Sequence, residues 1–288
     1  MSSILFRRVA ICGVGLIGGS LAIQARRHGL FGEIVGLGRS QSNLDLALER
    51  RLIDFATRDP FEAARGSDLV VLATPIMSMP VTLRAMAEHL LPDAVVTDVG
   101  SVKAWVVREL EPILGPQMAL VAAHPVAGKE ITGAAAADPE LFKGRRTIIT
   151  PSTRSTPEAL EKIGALWKAT GATVQTMDPE VHDRVLALAS HLPQLAASSL
   201  ASALAAQRVD GLLAADFGAT GLRDATRLAL SSWEMWRDIC LTNREAIVES
   251  LRLMRTSLEE FERLIATKDA KGLEAAFERG RKMRERLN

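Results

Sequence analysis

The sequence has no excess of charge of either sign: 35 Lys and Arg stand against 34 Asp and Glu, a formal net charge of +1. That balance removes any broad electrostatic case for a nucleic-acid partner or an anionic membrane and favours a small molecule. Cysteine is scarce as well, with two in the chain, Cys12 and Cys240. Far apart and without paired spacing, they support neither a disulfide framework nor a zinc site, and they suit a reducing cytoplasm. No uninterrupted apolar stretch reaches the roughly 18 residues that a membrane span needs. The opening MSSILFRRVAICGVG lacks a charged segment followed by a signal-length apolar core, so export is not expected. What the chain does have is ordinary globular composition, 48% hydrophobic and 24% charged over 288 residues, enough for one large domain or two modest ones.

From residue 7 to about residue 178, short β-branched runs recur with helical patterns between many of them: RRVAICG, EIVGLG, DLVVLAT, AVVTDVG, ALVAAHP, RTIIT and ATVQTM. Several are apolar without alternation, as strands covered on both faces by helices should be, and the layout is α/β and doubly wound. From residue 179 the chain becomes rich in Ala, Leu, Arg and Glu, with no convincing strand. The expected organisation is a Rossmann dinucleotide-binding domain over 1–178 followed by an all-α domain over 179–288. Within the second half, Ile247, Leu251, Met254, Leu258, Phe261 and Ile265 alternate steps of four and three. That stripe predicts a helix with one face covered, a packing seam to which a subunit interface contributes.

VAICGVGLIGGSLA sets Gly13, Gly15 and Gly18 in G-x-G-x-x-G spacing, directly after the first strand and at the mouth of an apolar helix. The first glycine permits the tight turn, the second lets backbone approach a pyrophosphate, and the third lets helix and strand pack closely. The amides at the helix start, those of Leu16 and Ile17, would face the phosphates. Where NAD is preferred, an acidic residue about 20 positions on binds the ribose hydroxyls. Here the second strand ends at Gly38 and is followed by Arg39 and Ser40. A carboxylate there would repel a 2′-phosphate, whereas Arg39 can pair with one and Ser40 can add a donor, so NADP is the expected cofactor and NAD the alternative.

Ligands of such sheets bind outside the carboxyl ends of the strands. Three expected strand ends carry polar or turn-forming residues: LATP with Thr74 and Pro75, TDVGSVK with Asp98, Ser101 and Lys103, and AAHPVAGKE with His124. Pro125 should stop its strand, leaving the His124 imidazole at the edge, where it could take a proton from a substrate hydroxyl as a nicotinamide takes hydride. In the helical half, His191 lies in LASHLPQ, and Arg223 and Arg227 lie a turn apart. An Arg beside the crevice suits a carboxylate, with a surface ion pair to Asp224 as the plainer reading. His182 reads as structural or solvated.

In order along the chain, GVGLIGGSLA, DVGSVK, HPVAGKE followed by LFKGR, ASHLPQ and RDATRLA resemble the prephenate/arogenate (cyclohexadienyl) dehydrogenases of tyrosine biosynthesis. The resemblance covers almost the whole chain. It implies a Rossmann domain with a helical dimerisation domain, and oxidative decarboxylation of prephenate to 4-hydroxyphenylpyruvate or of arogenate to tyrosine. It also implies His124 as general base on the ring hydroxyl, Ser101 positioning that hydroxyl and the nicotinamide, Arg227 on a substrate carboxylate, and His191 lining the site. Gln194 stands where many members have a second histidine, and its amide could meet either a keto acid or an amino acid. Leu222 replaces a common Phe, a change of packing only. Neither a chorismate mutase segment nor an added regulatory domain is expected, so feedback by tyrosine would act by competition.

Two rivals frame the expectation. Another Rossmann-plus-helical oxidoreductase, of the β-hydroxyacid dehydrogenase or pyrroline-carboxylate reductase type, is one. The β-hydroxyacid class resembles itself in using a helical-domain lysine, and residues 180–266 contain no Lys. The other is a non-catalytic NADP-sensing module that regulates a partner.

Overall fold

The structure is a computed structural model that describes residues 4–129 and 131–287; Glu130, within HPVAGKE, lies outside them. Eight strands form one sheet in the order β3-β2-β1-β4-β5-β6-β7-β8. They are β1 (Phe6–Cys12), β2 (Phe31–Leu37), β3 (Phe55–Thr57), β4 (Leu69–Leu72), β5 (Val95–Asp98), β6 (Ala119–Pro125), β7 (Arg146–Pro151) and β8 (Thr173–Thr176). Strands β1 to β6 run parallel, β7 pairs antiparallel with β6, and β8 runs parallel to β7. Helices α1 (Leu16–Arg27), α2 (Gln41–Glu49), α3 (Pro60–Ala64), α4 (Met79–Met86), α5 (Ala104–Leu110) and α6 (Pro157–Ala169) connect these strands.

Strand alternation divides the core into two layers. Along β1, Val9 and Ile11 pack with Leu21, Ile163 and Trp167 on one face. Ala10 and Cys12 pack with Met79, Leu83 and Val106 on the other, and this second layer also takes in Ala187, Ile239 and Ile247 from the C-terminal half. The helical half therefore docks on the face covered by α4 and α5, beside the carboxyl ends of the parallel strands.

That half comprises α7 (Pro179–Leu186), α8 (Leu192–Leu204), α9 (Thr220–Thr226), α10 (Trp233–Thr242), α11 (Arg244–Ala266) and α12 (Ala270–Glu285). Between α7 and α8 the chain widens into a π-helical turn over Ala187–His191. Pro193 accounts for it: the ring has no N–H to give and displaces the carbonyl four residues back. The expected stripe falls on α11, where Ile247 is buried while Leu251, Leu258 and Ile265 stay exposed in the single chain.

Three expectations need correction. Strand β3 was not among the seven expected, because three residues are too few to show a pattern. The C-terminal half is not free of strand: Arg208–Val209 and Leu212–Leu213 form a small hairpin. Its turn is Asp210-Gly211, both at positive φ, a two-residue signal that the helical texture masked. Finally, Pro125 does not stop β6 short of itself; it is the strand's last residue, opposite Thr147.

Candidate active site

The glycine turn follows β1 as its spacing requires. Gly13 has φ +95°, and a Cβ there would collide with the carbonyl of Ala73. A Cβ on Gly18 would run into the Gly13 carbonyl and reach 3.0 Å from Ile11 Cγ2. Gly15 differs, since a Cβ there would meet only the Gly133 nitrogen, at 3.9 Å. Packing thus dictates the first and third glycines, while the second faces open space. The start of α1 has no side-chain cap and no acidic residue in its first turn, so the amides of buried Leu16 and half-buried Ile17 stand without an intrahelical acceptor. At the end of β4, Thr74 Oγ1 is buried with no hydrogen-bond partner, and Pro75 is exposed. An open glycine cradle, uncapped helix amides and an orphaned hydroxyl on one sheet edge fit a dinucleotide.

Past β2, Arg39 is exposed, and Ser40 caps α2 by accepting from Asn43 N at 3.3 Å. Asn43 donates to the Val14 carbonyl at 2.9 Å and accepts from Ala134 N at 2.7 Å. It ties the glycine turn to the loop after β6.

At β5 and β6 the polar groups close on one another. Asp98 ends β5 and is fully buried. It accepts from Gly100 N at 2.7 Å and Ala123 N at 3.2 Å and forms a buried ion pair with Lys103. Lys103 Nζ also donates to the Ala123 carbonyl at 2.8 Å, so the residue before His124 is gripped at both its amide and its carbonyl. Burial lowers the Lys103 pKa, against the pull of the Asp98 and Asp183 charges. Ser101, half-buried, follows on the same turn.

His124 is 8% exposed, and its Nδ1 lies 2.9 Å from His182 Nε2. His182 Nδ1 in turn lies 2.8 Å from Asp183 Oδ1. Burial, and then the neighbouring His182, Lys103 and His191, hold the His124 pKa well below the ordinary histidine range. His182 is completely buried, so the expectation of a solvated residue is wrong and a structural one is incomplete: it touches the candidate base.

His191 sits in the π-helical turn, with its ring edge-to-face against Trp236. Asn243 Nδ2 donates to the Asp183 carbonyl at 2.9 Å and lies 3.2 Å from His191 Nδ1. Nε2 of His191 is buried without a partner, and burial pushes this histidine down to about 4. Gln194, one turn on, is engaged by protein groups at both ends of its amide. Its Nε2 donates to the Leu228 carbonyl at 2.8 Å, and its Oε1 accepts from Ser231 at 3.3 Å. Both ends of the amide are engaged in holding α8 to the turn Arg227–Leu230, which exposed Arg227 opens.

The structure therefore brings His124, Ser101 and the glycine turn to one sheet edge, and links His191 to His124 through Asn243, Asp183 and His182. Sequence reasoning missed His182, Asp183 and Asn243. Neighbouring positions on a helix carry no recognised pairing pattern, so His182-Asp183 gave none to find although the two side chains meet.

Comparison with known proteins identifies the family. The prephenate dehydrogenase nucleotide-binding domain matches residues 21–176, and the prephenate dehydrogenase dimerization domain matches residues 178–279. A cyclohexadienyl dehydrogenase of Zymomonas mobilis is 34% identical over 97% of this chain and 96% of its own length. A prephenate dehydrogenase of Bacillus subtilis is 32% identical over 97% of this chain and 76% of its own. Among solved structures, a prephenate dehydrogenase from Aquifex aeolicus, in complex with hydroxyphenyl propionate and NAD+, has a TM-score of 0.92 at 30% identity, covering 100% of this chain and 99% of its own. A Synechocystis arogenate dehydrogenase has a TM-score of 0.83 at 29% identity, covering 98% of this chain and all of its own. A Coxiella burnetii pyrroline-5-carboxylate reductase, at 18% identity and a TM-score of 0.52, shares the fold alone. Matched across both domains and aligned with these relatives over nearly its whole length, the chain belongs to the prephenate dehydrogenase family of oxidoreductases.

Proposed function

We propose that this chain oxidises and decarboxylates prephenate, arogenate or both, preferring NADP to NAD. It would act as a cytoplasmic homodimer whose Rossmann and helical domains divide at residues 178 and 179. One observation carries the reading: His124, nearly buried at the carboxyl end of β6, stands on the sheet edge that also holds the glycine turn and the orphaned Thr74 hydroxyl. A bound nicotinamide supplies the hydride acceptor for the ring carbinol. His124 takes the proton of that hydroxyl, and Ser101 holds the hydroxyl in place. The carbonyl that forms is a vinylogous electron sink for the carboxylate carbon, and departure of carbon dioxide aromatises the ring. Arg227 is the carboxylate ligand, because its planar fork matches two oxygens.

His191, its Nδ1 faced by Asn243, keeps Nε2 as a donor toward the substrate. Gln194 acts on substrate choice through the Arg227 turn that it holds. Gly13, Gly15, Gly18 and the amides of Leu16 and Ile17 hold the pyrophosphate, Thr74 and Pro75 border the dinucleotide, and Arg39 with Ser40 receives a 2′-phosphate. Relatives named for prephenate, cyclohexadienyl and arogenate substrates support dual specificity. The exposed apolar residues of α11 support a dimer. Unpaired Cys12 and Cys240 suit a reducing cytoplasm.

The test is a four-way assay of purified protein, prephenate or arogenate with NADP or NAD, following reduced nicotinamide. Turnover in any combination supports the reading, and faster turnover with NADP supports the role of Arg39. Silence in all four, from folded protein that binds cofactor, overturns it and favours the sensor.

A further inference from the structure

We propose that His182, held by Asp183, is a positioning residue that decides which nitrogen of His124 is basic. The inference rests on the proposed role of His124 as general base and adds to it a reason why that base faces one way.

The Asp183 carboxylate fixes the first proton of the hydrogen-bond chain. Its Oδ1 accepts from Lys103 N at 2.7 Å, and its Oδ2 accepts from Ala104 N at 2.9 Å, both at the start of α5. Two backbone amides keep the group an acceptor, so at the 2.8 Å contact with His182 Nδ1 the hydrogen belongs to His182. A neutral imidazole has one N–H, which leaves His182 Nε2 as a lone pair. That lone pair lies 2.9 Å from His124 Nδ1, where two lone pairs would repel. The hydrogen between the rings is therefore on His124 Nδ1, and the basic nitrogen of His124 is Nε2, which has no partner among the described residues.

The alternative arrangement shows what His182 prevents. With Nε2 protonated, His124 would turn its lone pair inward and present a donor where a proton must be accepted. A buried ring with no acceptor beside Nδ1 is driven toward that form, because an unpaired buried N–H is costly. His182 removes the choice. Once His124 has taken the substrate proton, its Nδ1–H becomes a charge-assisted donor to His182, with the Asp183 carboxylate behind it. The link is also mechanical: Lys103 pins Asp183 with its backbone while its side chain grips Asp98 and the Ala123 carbonyl, so α7 and β6 are held in one register.

The experiment pairs His182→Leu, which fills space without an acceptor, with His182→Gln, whose amide oxygen can reach the place of Nε2. For each, kcat, KM and cofactor affinity are measured, and ¹⁵N spectra of histidine-labelled protein locate the ring protons of the five histidines. In the unaltered protein His124 is expected to carry its proton on Nδ1 at neutral pH. His182→Leu should lose about 10- to 100-fold in kcat, with KM and cofactor affinity within about threefold, and His182→Gln should recover most of the loss. A His124 proton on Nε2, or Leu and Gln variants that both match the parent kcat within about twofold, would overturn the proposal. Should His182→Leu not fold, the Gln variant and the parent spectrum decide. Should the parent turn over neither prephenate nor arogenate, the function fails, yet the spectrum still gives the tautomer.

Discussion

The two ends of the sheet's carboxyl edge are built on opposite plans. Around β1, β2 and β4 the polar groups are left open: Thr74 Oγ1 has no partner, Gly15 faces space and Arg39 is exposed. Around β5 and β6 they are closed on one another, with Asp98, Lys103, His182 and Asp183 all buried and bonded. An open site recognises a ligand with its backbone and leaves the ligand to complete the hydrogen bonds. A closed one fixes the direction of a proton, which requires that protein groups satisfy every lone pair except the one that reacts.

The largest break in this contrast should come at the closed end. His124→Asn keeps a polar group at the strand end but removes the proposed base, and turnover is expected to fall by about 10²- to 10⁴-fold. Titration of cofactor fluorescence should show binding retained, because the open end is untouched. Next comes Asp98→Ala, which leaves the Lys103 ammonium buried without its paired carboxylate, with the Ala123 carbonyl as its remaining hydrogen-bond acceptor. Loss of one partner of a buried pair costs about 3–5 kcal/mol, to be read from denaturant unfolding. Activity should fall as well, because Asp98 also holds the Ala123 amide next to His124.

Acidification sharpens the comparison in a different way. His124, His182 and His191 all have lowered pKa values, with burial the largest cause in each. They face Lys103, Asp98 and Asp183 within the same cluster. Above the ordinary histidine pKa of about 6.5, folded and unfolded rings are alike neutral. Below it the unfolded rings bind protons that the folded ones refuse, so stability falls as pH drops from about 6.5 toward the lowered values, about 4 for His191. In its proposed role as base His124 acts unprotonated, so kcat/KM should hold on the acid side of 6.5 and fail only as His124 titrates or the fold gives way. An acid limb centred at or above 6.5 would break this account of the cluster.

The same contrast explains what the sequence could reveal. Gly13, Gly15 and Gly18 lie within six residues, and their spacing is itself the backbone geometry, so the open end was legible. Apolar runs revealed the strands that are buried on both faces, and the texture change near residue 178 revealed the helical half. The closed end joins residues far apart: 58 positions separate His124 from His182, and 80 separate Lys103 from Asp183. No local period encodes such pairs. His182 carries no sequence signal for that reason, and the partners of Gln194, Leu228 and Ser231, are equally hidden at 34 and 37 residues on. Short elements failed differently, since β3 and the Asp210-Gly211 hairpin have too few residues to stand out from their surroundings.

The smaller predictions probe the open end, where loss of one contact should be felt by the ligand and not by the fold. Gly15→Ala meets no protein atom nearer than 3.9 Å, so stability should hardly change. The added methyl would enter the space proposed for the pyrophosphate, and affinity for both cofactors should fall together, by about tenfold or more. Arg39→Ala should instead separate them. Arg39 is exposed, and its proposed partner is the phosphate present on NADP and missing from NAD. One charge-assisted contact is worth about 1.5–3 kcal/mol, but an exposed guanidinium keeps only part of it, so a loss of about tenfold in NADP affinity is expected, with NAD within about twofold. The loss should shrink as salt is raised, because an exposed pair is screened. Equal loss for both cofactors would place Arg39 on a shared group such as the adenine or the pyrophosphate. No loss for either would leave it a solvated charge, and any preference for NADP would then have to come from Ser40 and the open backbone at the end of β2.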